Sequence, residues 1–257
     1  MRVALVQFDI TWEDPEANHR RAERRVQEAA ALGARLVILP EMFPTGFSMD
    51  AGRLAQAPGG STETWLLETA AGLGVWILAG APVQGEEAPC NQAILAAPTG
   101  ELRRYTKLHP FSFAGEHQHY AAGDEVVTWD VEGLQVTPFI CYDLRFPEPF
   151  RAVNDRTHLY AVIANWPERR RAHWQALLRA RAIENLAYVA GVNRVGDGGG
   201  LHYTGDSALI SPWGETLASA AEAEAVLVVE VDPNVVKEAR RTFPVLSDRR
   251  GGWRVAG

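Results

Sequence analysis

The chain has 257 residues, of which 47% are apolar and 22% charged, with a formal net charge of −7. That is ordinary for a globular protein with a sizeable core, and the acidic balance argues against a dedicated nucleic-acid binder. Two cysteines, Cys90 and Cys141, exclude a disulfide framework. No apolar run approaches the ~20 residues of a membrane span, and the N-terminal MRVALVQFDITW lacks the regions of a signal peptide. The expectation is a soluble cytoplasmic protein with neither a membrane nor a nucleic-acid partner.

In chain order, residues 3–8 read as a strand, and Asp14-Pro15-Glu16 opens a helix. Ala22, Val26, Ala29 and Ala30 share a face of that helix, and Gly33 stops it. Residues 36–39 are wholly apolar, as in a strand covered on both faces, and run into Pro40-Glu41. Residues 43–60, rich in proline and glycine, read as loop. Ser61 is positioned to cap a helix through Leu73. A strand over 75–81 and a hairpin turning at Pro98-Thr99-Gly100 follow, and then Lys107.

Residues 111–124 have no period and read as loop. Strands are expected over 126–131 and 134–140, with Pro138 predicting a bulge or a strand end. The second run stops at Cys141. A short helix near 147–154, a strand over 160–164 and a long helix over 168–186 come next. Then follow a strand over 187–192, a flexible glycine-rich loop over 196–200, strands over 207–210 and 225–231, a helix over 235–241 and a polar tail. Helices alternate with buried strands before hairpins intrude. That pattern implies one α/β domain, residues 1–257, with mixed sheets and helices outside.

Three reactive side chains thus follow apolar strands: Glu41, Lys107 and Cys141. A free thiol is only a few per cent ionised at neutral pH and needs a base. A poorly solvated glutamate can serve as that base, and a lysine can stabilise thiolate and oxyanion. The set is chemically complete for acyl transfer. Each member also has an ordinary reading: Cys141 as a small buried hydrophobe, Glu41 as a surface carboxylate, Lys107 as a solvated cation.

The segments LPEMFPTGF around Glu41, RRYTKLHPF around Lys107 and ICYDLRFPE around Cys141 resemble the nitrilase superfamily, the carbon–nitrogen hydrolases. AGEHQHYAAG and the Asn165-Trp166-Pro167 turn are similar to its ω-amidase branch. The resemblance implies a four-layer αββα sandwich with two mixed sheets. It implies a Cys141 nucleophile, a Glu41 base and an oxyanion site made by Lys107 and the Tyr142 backbone N–H. Glu116 matches a second family glutamate that positions Lys107 and substrate. No cofactor and no metal are implied, and the family commonly forms homodimers. The implied reaction is hydrolysis of the terminal amide of a small carboxylate-bearing substrate, of the 2-oxoglutaramate or 2-oxosuccinamate type, to acid and ammonia.

Such a substrate needs a cation or donors for its carboxylate. Arg145 is one candidate, with an ion pair to Asp143 or Glu148 as the alternative. Trp166, Tyr120 and Phe43 are candidate pocket walls, with core packing as the alternative for each. Competing readings are an amidase or nitrilase of another substrate class, a metal site at His117 and His119, a Cys141–His173 pair, and a non-catalytic binding protein.

Overall fold

Strand β1 (Arg2–Gln7) is apolar on both faces because both are covered. Val3 and Leu5 join one core while Ala4 and Val6 join another, the alternation that a two-residue period imposes. The computed structural model describes residues 1–250. In it, β2 (Leu36–Ile38), β3 (Trp76–Gln84) and β4 (Pro89–Ala96) repeat this alternation. Leu36, Ile38, Leu78 and Leu95 face the first core, and Val37, Ile77 and Ile94 the second. With β5 (Leu102–Thr106) and β13 (Ala225–Glu230) these strands form a six-stranded sheet in the order β13-β1-β2-β3-β4-β5. β1, β2 and β3 pair in parallel and the flanking pairs are antiparallel.

On the outer face lie α1 (Pro15–Ala31) and, after the single turn of α2 (Ala51–Leu54), α3 (Ser61–Leu73). Ala22, Val26 and Ala29 of α1 and Leu66 and Ala70 of α3 fill the second core. Asp14 caps α1 by accepting from the Ala17 N–H at 3.0 Å. Ser61 does not cap α3. Gly60 holds that position, and Glu63 reaches back to accept from the Gly59 N–H at 2.7 Å.

The second sheet has seven strands. Its main path runs β10 (Val195–Gly198), β11 (Leu201–Ile210), β9 (Tyr188–Asn193), β8 (Leu159–Ala164), β7 (Leu134–Ile140) and β6 (Trp129–Val131), with β12 (Thr216–Ala221) paired to β11. β7, β8 and β9 are parallel. Ile140 and Val162 pack with Leu5, Ile38 and Leu78, so the first core lies between the sheets. α4 (Pro147–Ala152), α5 (Arg171–Asn185) and α6 (Pro233–Thr242) contribute Phe150, Trp174, Leu178 and Val236 to the same cluster. The architecture is a layered α/β sandwich with two mixed sheets, as the motifs imply.

Several local expectations change. The 43–60 loop contains α2, and the glycine-rich 196–200 segment is most of β10 and the two-residue turn into β11 rather than a free loop. Pro138 makes no bulge: it sits in register with Ala161 of β8. β6 pairs only as far as Val136, so at Pro138 that flank has no ladder for proline to break. β12 has no counterpart in the sequence reading. The polar tail holds a 3₁₀ turn at Val245–Asp248, and its last stretch, residues 251–257, lies outside the described residues.

Candidate active site

Glu41 lies three residues beyond β2, Lys107 directly after β5 and Cys141 directly after β7. Their strands end at one edge of the two facing sheets, and the 3₁₀ turn Glu116–Gln118 adds Glu116. Glu41, Lys107 and Glu116 are fully buried. The Lys107 Nζ donates to Glu41 Oε1 at 2.9 Å and to both Glu116 oxygens at 2.9 and 3.1 Å. Buried charges persist only when paired in this way. The ordinary readings of Glu41 as a surface carboxylate and Lys107 as a solvated cation do not describe these side chains.

Two asparagines complete the cluster. Asn91 Nδ2 donates to Glu41 Oε1 at 2.8 Å and to Glu116 Oε1 at 2.9 Å, while the Asn91 carbonyl accepts from the Lys107 N–H at 2.9 Å. The Asn165 N–H donates to Glu41 Oε2 at 2.7 Å, and Asn165 Nδ2 donates to the Glu41 carbonyl at 2.6 Å. Gly80 lets the β3 backbone pass beneath: a Cβ there would lie 2.5 Å from the Glu41 Cα.

Cys141 has φ of 43°, the left-handed region that a side chain adopts only under constraint. The constraint is the 3₁₀ turn Cys141–Arg145, tied down by Asp143. The buried Asp143 carboxylate accepts from the Ile140 N–H at 3.0 Å, the His109 N–H at 2.9 Å and the Tyr105 hydroxyl at 2.8 Å. Tyr142 stands in the first turn, where backbone N–H groups have no partner within the helix. The half-buried Cys141 Sγ lies 4.0 Å from the Asn165 carbonyl.

Burial, and next the Glu41 carboxylate, push the Cys141 thiol well above its ordinary value, with Lys107 opposing. The resting thiol is therefore neutral, and attack requires a base. Burial alone would lower Lys107, but Glu116 and Glu41 outweigh it and the net direction is upward. Lys107 stays an ammonium.

Cys141 opens onto a cleft of about 740 Å³, counted to its mouth, walled by Phe47, Phe111, Trp166 and Tyr203. Tyr142, Asn165, Arg145, Arg169 and Arg170 also line it. Arg145 has neither of the expected acidic partners. Asp143 is occupied elsewhere, and the Arg145 guanidinium lies over the Trp166 ring at 5.0 Å and donates to His173 Nδ1 at 3.0 Å. Trp166 is held by a bond from its N–H to Asn193 Oδ1 at 2.8 Å.

Two candidates lie away from the cleft. Phe43 is fully buried in the outer core against His19 and Trp65, because its strand-end position turns it to the helix-covered face. Tyr120 packs on Met42 and Ala51 and donates its hydroxyl to the Ser48 carbonyl at 2.9 Å, bracing the loop that carries Phe47. His117 and His119 are exposed, and among the described residues no group of three His, Cys, Asp or Glu side chains is arranged to hold a metal. His173 faces Arg145, while the charged groups acting most strongly on the Cys141 thiol are Glu41, Lys107 and Glu116.

The family profile of the carbon–nitrogen hydrolases matches residues 2–241. An omega-amidase of Escherichia coli K12, YafV, is 40% identical over 250 residues, 96% of each chain. A 2-oxoglutaramate amidase of Bacillus subtilis is 34% identical over 252 residues, covering 96% of this chain and 97% of that one. The crystal structure of XC1258 from Xanthomonas campestris, a CN-hydrolase superfamily protein with an arsenic adduct in its active site, is 39% identical. It superposes with a TM-score of 0.93 over 100% of this chain and 99% of that one. An amidase from Nesterenkonia sp. AN1, carrying the result of Michael addition of acrylamide at its active-site cysteine, is 26% identical. Its TM-score is 0.84 over 95% of this chain and 98% of that one.

Proposed function

This chain belongs to the carbon–nitrogen hydrolase family as an amide-hydrolysing enzyme of the ω-amidase-like branch, and we propose that Cys141 is its nucleophile toward the terminal amide of a small 2-oxo acid such as 2-oxoglutaramate. The observation that carries this reading is the convergence on one neutral thiol of the buried Glu41, Lys107 and Glu116, beside a cleft arginine, Arg145, that has no carboxylate partner among the described residues.

Glu41 takes the Cys141 proton as sulfur attacks the amide carbon, then delivers it to the departing nitrogen, which leaves as ammonia. Its Oε1 is held by Lys107 and Asn91, and Oε2 accepts from the Asn165 N–H, so the carboxylate is aimed before substrate arrives. The Lys107 ammonium and the Tyr142 N–H receive the oxyanion, as preorganised donors that need not reorganise during reaction. Water, deprotonated by Glu41, hydrolyses the thioester and frees the thiol. Glu116 positions Lys107 from the side opposite Glu41. Arg145 grips the substrate carboxylate and Trp166 backs it.

Residues 1–257 act as one domain in this reading. The protein works in the cytoplasm as a homodimer, supported by the adjoining exposed side chains of Ile183, Trp213 and Phe243. Among the described residues no helix is long and apolar enough to cross a membrane.

Ammonia release from 2-oxoglutaramate, glutarate monoamide, L-glutamine and an uncharged aliphatic amide tests the substrate class. The carboxylate-bearing acyclic amides are expected to exceed the uncharged amide, and Arg145→Leu is expected to remove that advantage through KM. Equal use of the uncharged amide would overturn the reading.

A further inference from the structure

Resting on that substrate class, we infer that Arg170 is a specificity-determining residue that recognises the 2-oxo group, so that Arg145 and Arg170 together read the oxo-acid head. Arg145 and Arg170 both line the cleft that opens at Cys141. Neither forms a salt bridge with a described carboxylate. Each is instead laid on an aromatic face, Arg145 on Trp166 at 5.0 Å and Arg170 on Phe111 at 5.2 Å.

The two are built on one frame. The Trp166 indole N–H donates to the Arg170 carbonyl at 2.8 Å, so the ring that supports Arg145 also fixes the Arg170 backbone. Arg170 is half-buried, and burial followed by repulsion from Arg169 and Arg145 lowers its affinity for a proton. Like-charged groups gathered in one poorly solvated wall without a counter-ion are costly unless a ligand supplies the negative charge.

A 2-oxo acid supplies it on adjacent carbons: a carboxylate and a carbonyl, both acceptors and nearly coplanar. Guanidinium groups are donors only. An amino acid amide offers an ammonium at the same carbon, which has no acceptor and repels both arginines. The unsubstituted monoamide offers nothing there and leaves the Arg170 donors unpaired in the complex. Sites built around hydrogen-bond donors reject partners that leave them unpaired. The predicted order is 2-oxoglutaramate, then glutarate monoamide, then L-glutamine.

The test is kcat/KM of the wild type and Arg170→Gln for those three amides. Arg170 bonds Trp166 through its backbone carbonyl, which the substitution keeps, and the monoamide activity reports a folded site. Arg170→Gln should lower kcat/KM for 2-oxoglutaramate roughly ten- to hundred-fold, and change that for glutarate monoamide by less than about three-fold. Rejection of L-glutamine should relax. An unchanged 2-oxoglutaramate-to-monoamide ratio, or an equal fall for all substrates, overturns the inference. A wild type that uses both carboxylate amides equally also overturns it while leaving the proposed function intact. A wild type that hydrolyses neither defeats the proposed function itself.

Discussion

The Tyr105 hydroxyl donates to Asp143 Oδ2 at 2.8 Å, joining the strand that delivers Lys107 to the turn that delivers Cys141. The same carboxylate accepts from the N–H of His109, two residues past Lys107, and of Ile140, one residue before Cys141. Asp143 is thus a buried clamp across both active elements, and the strained Cys141 backbone depends on it.

Tyr105→Phe removes one donor to a buried charge and little volume. The expected cost is about 1.5–3 kcal/mol of stability, read as a lower midpoint in urea with an unchanged m-value. Retention of the wild-type midpoint would show that the clamp does not depend on this bond.

Asn91 supplies a single amide nitrogen to both Glu41 and Glu116. Asn91→Leu keeps the volume but removes the one side-chain donor, besides Lys107, that the two buried carboxylates share. We expect kcat to fall at least roughly ten-fold with KM changed far less, because the aim of the base is what is lost. An increase confined to KM would place Asn91 in substrate binding instead.

The His19 ring is stacked on Trp65 at 5.3 Å and its Nε2 meets the Thr62 hydroxyl at 3.1 Å. Burial lowers its pKa in the folded state, with Glu16 opposing, and His158 is lowered too, first by burial and then by Lys237 and Arg240. A depressed folded value means that the unfolded chain binds the proton more tightly. The stability these neutral rings contribute is whole above the unfolded value near ~6.5 and is lost as pH falls from there through the folded values. Urea midpoints should therefore decline below about pH 6.5, and His19→Gln should make that decline shallower. A slope unaltered by His19→Gln would contradict the assignment.

The main features of the site were legible because chemistry and pattern coincide at strand ends. Glu41 and Cys141 each close an apolar run, Lys107 directly follows the second strand of a hairpin, and a layered α/β fold brings such strand ends together. What the sequence hides is direction. Phe43, two residues after Glu41, turns to the helix-covered side, and Tyr120 bonds a neighbouring loop. Asn91 reads as an ordinary polar strand residue, since nothing local signals that two distant carboxylates share its amide. Arg170 is the middle of three consecutive arginines at the start of a helix, and only the fold separates Arg169 and Arg170, which line the cleft, from Arg171, which pairs with Asp206. β12 escaped because TLASAA is small and largely exposed, with no apolar stripe to mark it.

The most direct test is ammonia release from 2-oxoglutaramate by Cys141→Ala, with its urea midpoint measured alongside. The side chain is half-buried and its strained backbone is braced through Asp143, so the variant should fold like the wild type. The expected result is no turnover above the uncatalysed rate from a folded protein. Ammonia release at a substantial fraction of the wild-type rate would contradict a thioester route through Cys141.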